Sequence, residues 1–130
     1  MADKKTRYKI PNGVKNEARQ GRDLRTMHGY GGGKVTKAIN YRLRVQKDVG
    51  YRTAVKIDTY YRRHEDVDPK GENFDNRKQP SKGYIMWKMM GGNSGQSWSR
   101  RLKKTLDVIQ KRERLNKINR TLEAIHGMVR

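Results

Sequence analysis

The sequence predicts an all-α protein: a small single domain of four to five helices, with a long C-terminal helix and a basic, flexible N-terminal arm. Three observations predict it. Apolar residues recur at three- and four-residue spacing in successive segments, which places them on one face of a helix. Glycines at Gly29 to Gly33, Gly50 and Gly91-Gly92 separate those segments. Only 32% of the 130 residues are hydrophobic, so the chain builds one small core, with two Trp, seven Tyr and six Met supplying much of its bulk.

Residues 1–12 read as a mobile basic arm ending in the turn Pro11-Asn12-Gly13. Val14, Ala18, Gly21, Leu24 and Met27 define a first helix over 13–28, with Lys15, Arg19, Arg22 and Arg25 on its other faces. Gly29 and Gly31-Gly32-Gly33 end it, because glycine reaches the positive φ of a helix stop. Val35, Ala38, Ile39 and Leu43 place a second helix over 34–46, although Asn40 to Val45 also alternates as a strand would. After Gly50, a third helix over 51–64 carries Tyr51, Ala54, Val55, Ile57, Tyr60 and Tyr61. Residues 65–80 form a polar loop with the turn signal Pro69-Lys70-Gly71, and five of the thirteen acids lie in it. Ser81 is placed to cap a short apolar helix containing Tyr84, Ile85, Trp87, Met89 and Met90.

Asn93 or Ser94 then caps a last helix over 95–126. Its first half puts Trp98, Leu102, Thr105, Leu106 and Ile109 on one face. Its second half follows a heptad track, with Val108, Leu115, Leu122 and Val129 at one position and Ile118 and Ile125 at the other. Thirty-two residues span roughly 48 Å, more than so small a domain needs. The far end is therefore expected to pack on another chain, as a homo-oligomer or against a capsid or host protein, or to fold back through a break near 116–119. The division is an arm over 1–12, a helical core over 13–106 and a helical extension over 107–130.

Charge narrows the function. Lys plus Arg number 32 against 13 Asp plus Glu, a formal net charge of +19. Such an excess repels itself in a folded chain, and a polyanion relieves it. Nucleic acid is the expected polyanion, with DNA favoured over RNA; the plainer alternative is a surface charged for solubility alone. No run of 18 apolar residues exists, so no segment is expected to span a bilayer and no membrane partner is expected. The basic N-terminus lacks the apolar stretch of a secretory signal. The absence of cysteine excludes disulfides, zinc ribbons and thiol catalysis.

Three stretches carry a family resemblance. The first runs from Pro11-Asn12-Gly13-Val14 through Gly21-Arg22-Asp23-Leu24-Arg25 to His28-Gly29-Tyr30-Gly31-Gly32-Gly33. The second is Thr59-Tyr60-Tyr61-Arg62-Arg63-His64-Glu65-Asp66-Val67-Asp68. The third is Ser81-Lys82-Gly83-Tyr84-Ile85-Met86-Trp87, followed by Gly91-Gly92-Asn93-Ser94-Gly95-Gln96-Ser97-Trp98. In order and spacing they resemble a small basic helical module of tailed phages and large DNA viruses, found alone or beside head-assembly proteins such as prohead-protease-like sequences. The likeness covers about residues 11–104, and Trp-x₃-Gly-Gly-x-x-Gly-x-x-Trp is its most specific part. It implies a viral origin and an all-helical fold, and it implies no activity; a place in the host cytoplasm or inside the virion is the setting expected of a viral chain without cysteine. The chain departs from that pattern at Asn93-Ser94, where an acidic residue and alanine are usual, and in its tail beyond Leu106.

No constellation points to catalysis. Gly31-Gly32-Gly33-Lys34 precedes a helix, so its amides could cradle a phosphate, but the spacing Gly-x₄-Gly-Lys-Ser/Thr is absent. Gly91-Gly92-Asn93-Ser94-Gly95 is read as a tight corner that lets Trp87 and Trp98 approach. His28, His64 and His126 lack metal-ligand spacing, and His64-Glu65-Asp66-x-Asp68 reads as solvated charge before a cation site. No enzyme activity, cofactor or metal is expected. Leu24, Tyr61, Trp87, Trp98 and Leu102 are assigned to the core. Tyr8, Tyr30, Tyr41 and Tyr51 lie among basic residues and are candidates for stacking on bases. The expected nucleic-acid-binding set is Arg22, Arg25, Lys34, Lys37, Arg42, Arg44, Arg52, Lys56, Arg62 and Arg63 on the first three helices, with Arg100, Arg101, Lys103 and Lys104 on the last. The second and third helices are weighed as a helix-turn-helix-like pair, and backbone binding with weak sequence selectivity is preferred. The alternatives are a virion structural or assembly protein that meets packaged genome or an acidic protein surface, and an inhibitor of a host nucleic-acid enzyme.

Overall fold

The computed structural model describes residues 4–64 and 81–129. Helices take up 81% of these, well above the third that is usual, so the fold is all-α. In chain order the elements are β1 (Tyr8–Lys9), α1 (Asn12–His28), α2 (Lys34–Val45), β2 (Asp48–Val49), α3 (Tyr51–Arg63), α4 (Lys82–Met89) and α5 (Gly92–Val129). The polar loop expected over 65–80, with its turn and its acids, lies outside the described residues.

α1 is the hub, packed against α2, α4 and α5, while α3 lies on α5. Gly21 sets the closest approach. A Cβ there would stand 2.2 Å from the Met89 amide nitrogen and 2.5 Å from the Lys88 carbonyl carbon, so only hydrogen lets the α1 and α4 backbones meet. Val14 and Ala18 extend the same buried face. The stripe stops sooner than its spacing suggests: Leu24 is only half-buried and Met27 is 74% exposed. The covering helix α4 has eight residues, and it leaves Leu24 and Met27 in an open groove beside Tyr84 and Lys88. In α2 the buried face is also turned from the expected one. Thr36, Ile39, Asn40 and Leu43 point inward, whereas Val35 and Ala38 are exposed.

The N-terminal arm is shorter than expected. Tyr8 pairs antiparallel with Val49 and Lys9 with Asp48, the Ile10 amide donates to the Lys47 carbonyl at 2.9 Å, and Arg7 bridges Asp48 at 2.8 Å. Tyr8 and Ile10, two apart on an extended chain, both turn inward and are buried with Val14 and Val49. Residues 8–11 therefore belong to the folded domain rather than to a mobile arm.

The corner between α4 and α5 answers to its sequence. Ser81 caps α4, its hydroxyl accepting from the Tyr84 amide at 3.0 Å. Gly91 and Gly92 adopt φ of 115° and 61°, the left-handed region that glycine occupies without strain. The Tyr61 hydroxyl donates to the Gly92 carbonyl at 2.8 Å, and a Cβ on Gly95 would stand 2.4 Å from that hydroxyl oxygen. Tyr61 meets the Trp87 ring edge-on at 4.8 Å, and the Trp87 indole donates to Asn93 Oδ1 at 3.0 Å. Tyr61, Trp87 and Trp98 are buried core as expected, and Leu102 packs half-buried against them. α5 starts three residues earlier than expected, at Gly92, and runs unbroken through 116–119 to Val129, so the tail does not fold back.

Glu17 pins the start of α5 to α1. Its carboxylate accepts from the Ser94 amide at 2.8 Å and from Lys88 Nζ at 3.1 Å. Burial alone would raise this carboxyl. The Ser94 hydroxyl and amide, with the Lys88 ammonium beside them, outweigh that and hold it below its ordinary range. The sign follows: a depressed folded value stabilises fully above the unfolded pKa, and the contribution is lost as pH falls through the folded one. Glu17→Gln is expected to lower stability by about 1 kcal/mol near neutral pH and to shrink the loss of stability between pH 5 and 3. Urea melts across that range check it, and equal losses in both proteins would refute the role.

Candidate nucleic-acid interface

The basic residues that the structure gathers best lie on α2. Lys34, Lys37, Tyr41 and Arg44 follow one another at i, i+3, i+7 and i+10, which places them on one outer face of the helix. Tyr41 is 56% exposed, and the Arg44 guanidinium sits 5.8 Å from the centre of its ring, within cation–π range. The span from Leu24 to Lys47 contains no Asp or Glu, so the face carries one sign of charge.

A buried residue holds this face in place. Asn40 is 1% exposed, and its amide nitrogen donates to the carbonyls of Ala18 and Met89, both at 2.9 Å. Its oxygen accepts from Arg44 Nε at 2.8 Å. Asn40 thus locks α2 to α1 and α4 and aims Arg44 along the surface. Sequence reasoning passed over it. Its signal is a polar residue in the sequence 36, 39, 40, 43, where an inward face demands apolar groups or satisfied polar ones.

The N-terminus of α2 heads the same stripe. Gly33 is its N-cap, without a side chain to bond the first amides, and α2 has no acid in its first turn. A Cβ on Gly33 would meet nothing within 4 Å. Gly31 and Gly32, at φ of 99° and 73°, pack against Ile85 and Met89 instead, so the triplet combines close packing with one open end. Amides that no side chain caps, the positive end of the helix dipole and two lysines are concentrated there, a setting that suits an anion.

On α3, Arg52, Lys56 and Arg63 are exposed at i, i+4 and i+11. Lys56 and Arg63 edge a groove of about 300 Å³ between α2, α3 and α4, whose lining includes Ile39, Tyr60 and Met86. Arg100, Arg101, Lys103 and Lys104 are exposed on α5, and Arg42 is exposed on α2 beside the main stripe. Other expected residues are engaged elsewhere. Arg22 pairs with Asp23 at 3.2 Å, Arg25 Nε donates to the Gly31 carbonyl at 2.9 Å, and Arg62 lies between Asp58 at 2.9 Å and Asp107 at 2.6 Å. Of the base-stacking candidates, Tyr8 is buried, Tyr30 and Tyr51 are half-buried, and only Tyr41 stands clear. Five residues that include β2 connect α2 to α3, in place of the three- or four-residue turn of a helix-turn-helix.

Among the described residues no three His, Asp or Glu side chains group to hold a metal ion, and no helix is long and apolar enough to cross a membrane. His64 rests on Tyr60 at 4.5 Å between ring centres, and the carboxylates that follow it lie outside the described residues. No family model, curated protein or solved structure matches the chain.

Proposed function

We propose that this is a non-catalytic, phage-encoded nucleic-acid-binding protein that grips the phosphate backbone of duplex DNA with little sequence selectivity, in the host cytoplasm or inside the virion. The single observation that carries the reading is the α2 face: Lys34, Lys37 and Arg44 around an exposed Tyr41, on a segment without acids and beneath an open helix N-terminus. Arg52, Lys56 and Arg63 supply a second row on α3. Lys and Arg that neutralise phosphates release condensed counterions, so affinity falls steeply with salt. A +19 chain also reaches its polyanion by long-range attraction. The exposed far half of α5 favours a second reading, assembly within the virion, in which the same basic faces meet packaged genome.

Binding to labelled duplex DNA, single-stranded DNA and duplex RNA across a salt series tests the proposal. Micromolar or tighter binding to duplex DNA near physiological salt is expected. The combined variant Lys34→Gln, Lys37→Gln, Arg44→Gln should lower the log–log salt slope by about 2 to 3 units, since each phosphate contact contributes about 0.9. If all three ligands bind weakly and alike, or if the slope ignores the variant, the α2 face is not the interface.

A further inference from the structure

The far half of α5 bears an apolar seam that nothing among the described residues covers. Leu115, Ile118, Leu122 and Ile125 are each about half exposed, at 51%, 54%, 49% and 48%. Their spacing of three, four and three is that of a two-helix seam, with leucine at the first core position and isoleucine at the second. The seam does not continue the face that α5 turns to the domain. That face runs through Trp98, Leu106 and Ile109, and its next member four residues on is Glu113, which pairs with Lys4 at 2.9 Å. The helix thus changes its apolar side where it leaves the domain.

We propose that a second copy of this chain covers the seam, pairing antiparallel about a two-fold axis near Arg120. In that register Leu115 meets the partner's Ile125 and Ile118 meets the partner's Leu122, so each of the four seam layers joins one leucine to one isoleucine, and the layer outside them sets Lys111 opposite position 129 of the other copy rather than opposite a second Lys111. The flanking positions bring Asn119 to its own copy, Thr121 to its own copy, Arg114 to Met128 and Arg112 to His126, so no two acids and no two Lys or Arg are opposed. A parallel pairing is worse on two counts. It would stack Lys111 on its own copy at a core position, and it would crowd two strongly basic domains at one end. Leucine at the first core position with isoleucine at the second also favours three or four strands over two when helices run parallel, and that would crowd more domains still. Antiparallel pairing sets the Ile109 positions roughly 33 Å apart along the coil, at 1.5 Å per residue. That is several Debye lengths at physiological salt, about 8 Å each, so the repulsion between domains is screened. This pairing is independent of nucleic-acid binding.

The chain has no cysteine, so introduced ones report unambiguously. Sedimentation of nuclease-treated protein at tens of micromolar should give a dimer, and Leu122→Asp should give a monomer with an unchanged Trp spectrum, since Trp87 and Trp98 lie in the separate core. Under mild oxidation L115C alone and I125C alone should stay uncrosslinked, whereas their equimolar mixture should form a disulfide-linked dimer. Crosslinking of each variant with itself would overturn the antiparallel arrangement. A wild-type monomer at these concentrations would overturn self-pairing and leave the seam to a different protein.

Discussion

Gly21→Ala is expected to lower stability by about 2 to 3 kcal/mol, the range for forcing extra atoms into a packed site. Two effects compete. Alanine in a helix interior gains up to ~1 kcal/mol over glycine. Against that, its Cβ would stand 2.2 Å from the Met89 nitrogen and 2.7 Å from its Cα. Those atoms are backbone, inside a helix that also packs against α2 and α5, so they cannot swing aside as a side-chain tip does. The clash wins. Thermal melts should show a fall of roughly 8–15 °C, taking about 4–5 °C per kcal/mol for a domain of this size. Gly33→Ala is the control: nothing lies within 4 Å of its Cβ and its φ is −93°, so only the N-cap preference for glycine over alanine is lost, about 1 kcal/mol or less, and its melting temperature should fall far less. Equal effects at the two glycines would sink the α1–α4 contact as the determinant.

Asn40→Ala is expected to be as damaging and to reach further. It removes two donated hydrogen bonds to main-chain carbonyls in two other helices and one accepted from Arg44. Each buried bond contributes about 1 kcal/mol, and a carbonyl left unpaired in the interior adds its own penalty, so a loss of about 3 kcal/mol follows. The second effect is functional. Without the Asn40 oxygen, Arg44 is free to leave the Tyr41 ring, and the α2 face loses part of its order. Arg44→Ala separates the two roles. It should cost about 1 kcal/mol, since it takes one donor from the buried Asn40 oxygen but leaves both bonds to the main-chain carbonyls, while weakening duplex binding at a temperature where both variants are folded. If Asn40→Ala melts like the wild type, the interior bonds of α2 do not hold it.

The helices were legible because their signals are local. Glycines with positive φ, the Ser81 cap and three- and four-residue spacing all act within one turn, so α1 to α4 begin and end within a residue or so of expectation. What the sequence concealed depends on partners distant in the chain. Nothing near Leu24 says that α4 is too short to cover it. Nothing near Tyr8 announces that Asp48 and Val49 will pair with it, because two-residue strands carry no periodicity. The basic surface was legible as composition but not as an arrangement. Arg22, Arg25 and Arg62 look as promising as Lys34 and Lys37 until Asp23, the Gly31 carbonyl, Asp58 and Asp107 are seen to engage them. Asn40 shows the same limit, for its role appears only once three helices converge on it.

The bond from Ser94 to Glu17 spans 77 residues, and that from Lys88 spans 71. Most helical domains of this size assemble from neighbours in sequence and fold quickly, because little chain entropy is lost before contacts form. Here α1 meets α2 soon after it in the chain, but α4, against which it packs most closely, and the start of α5 lie far along the sequence. Until these are made the notch at Gly21 and the faces of Val14 and Ala18 stand open. Closure of α1 on α4 and α5 is therefore a late event, and the interval before it is when a nascent chain of such high charge is most exposed to polyanions around it.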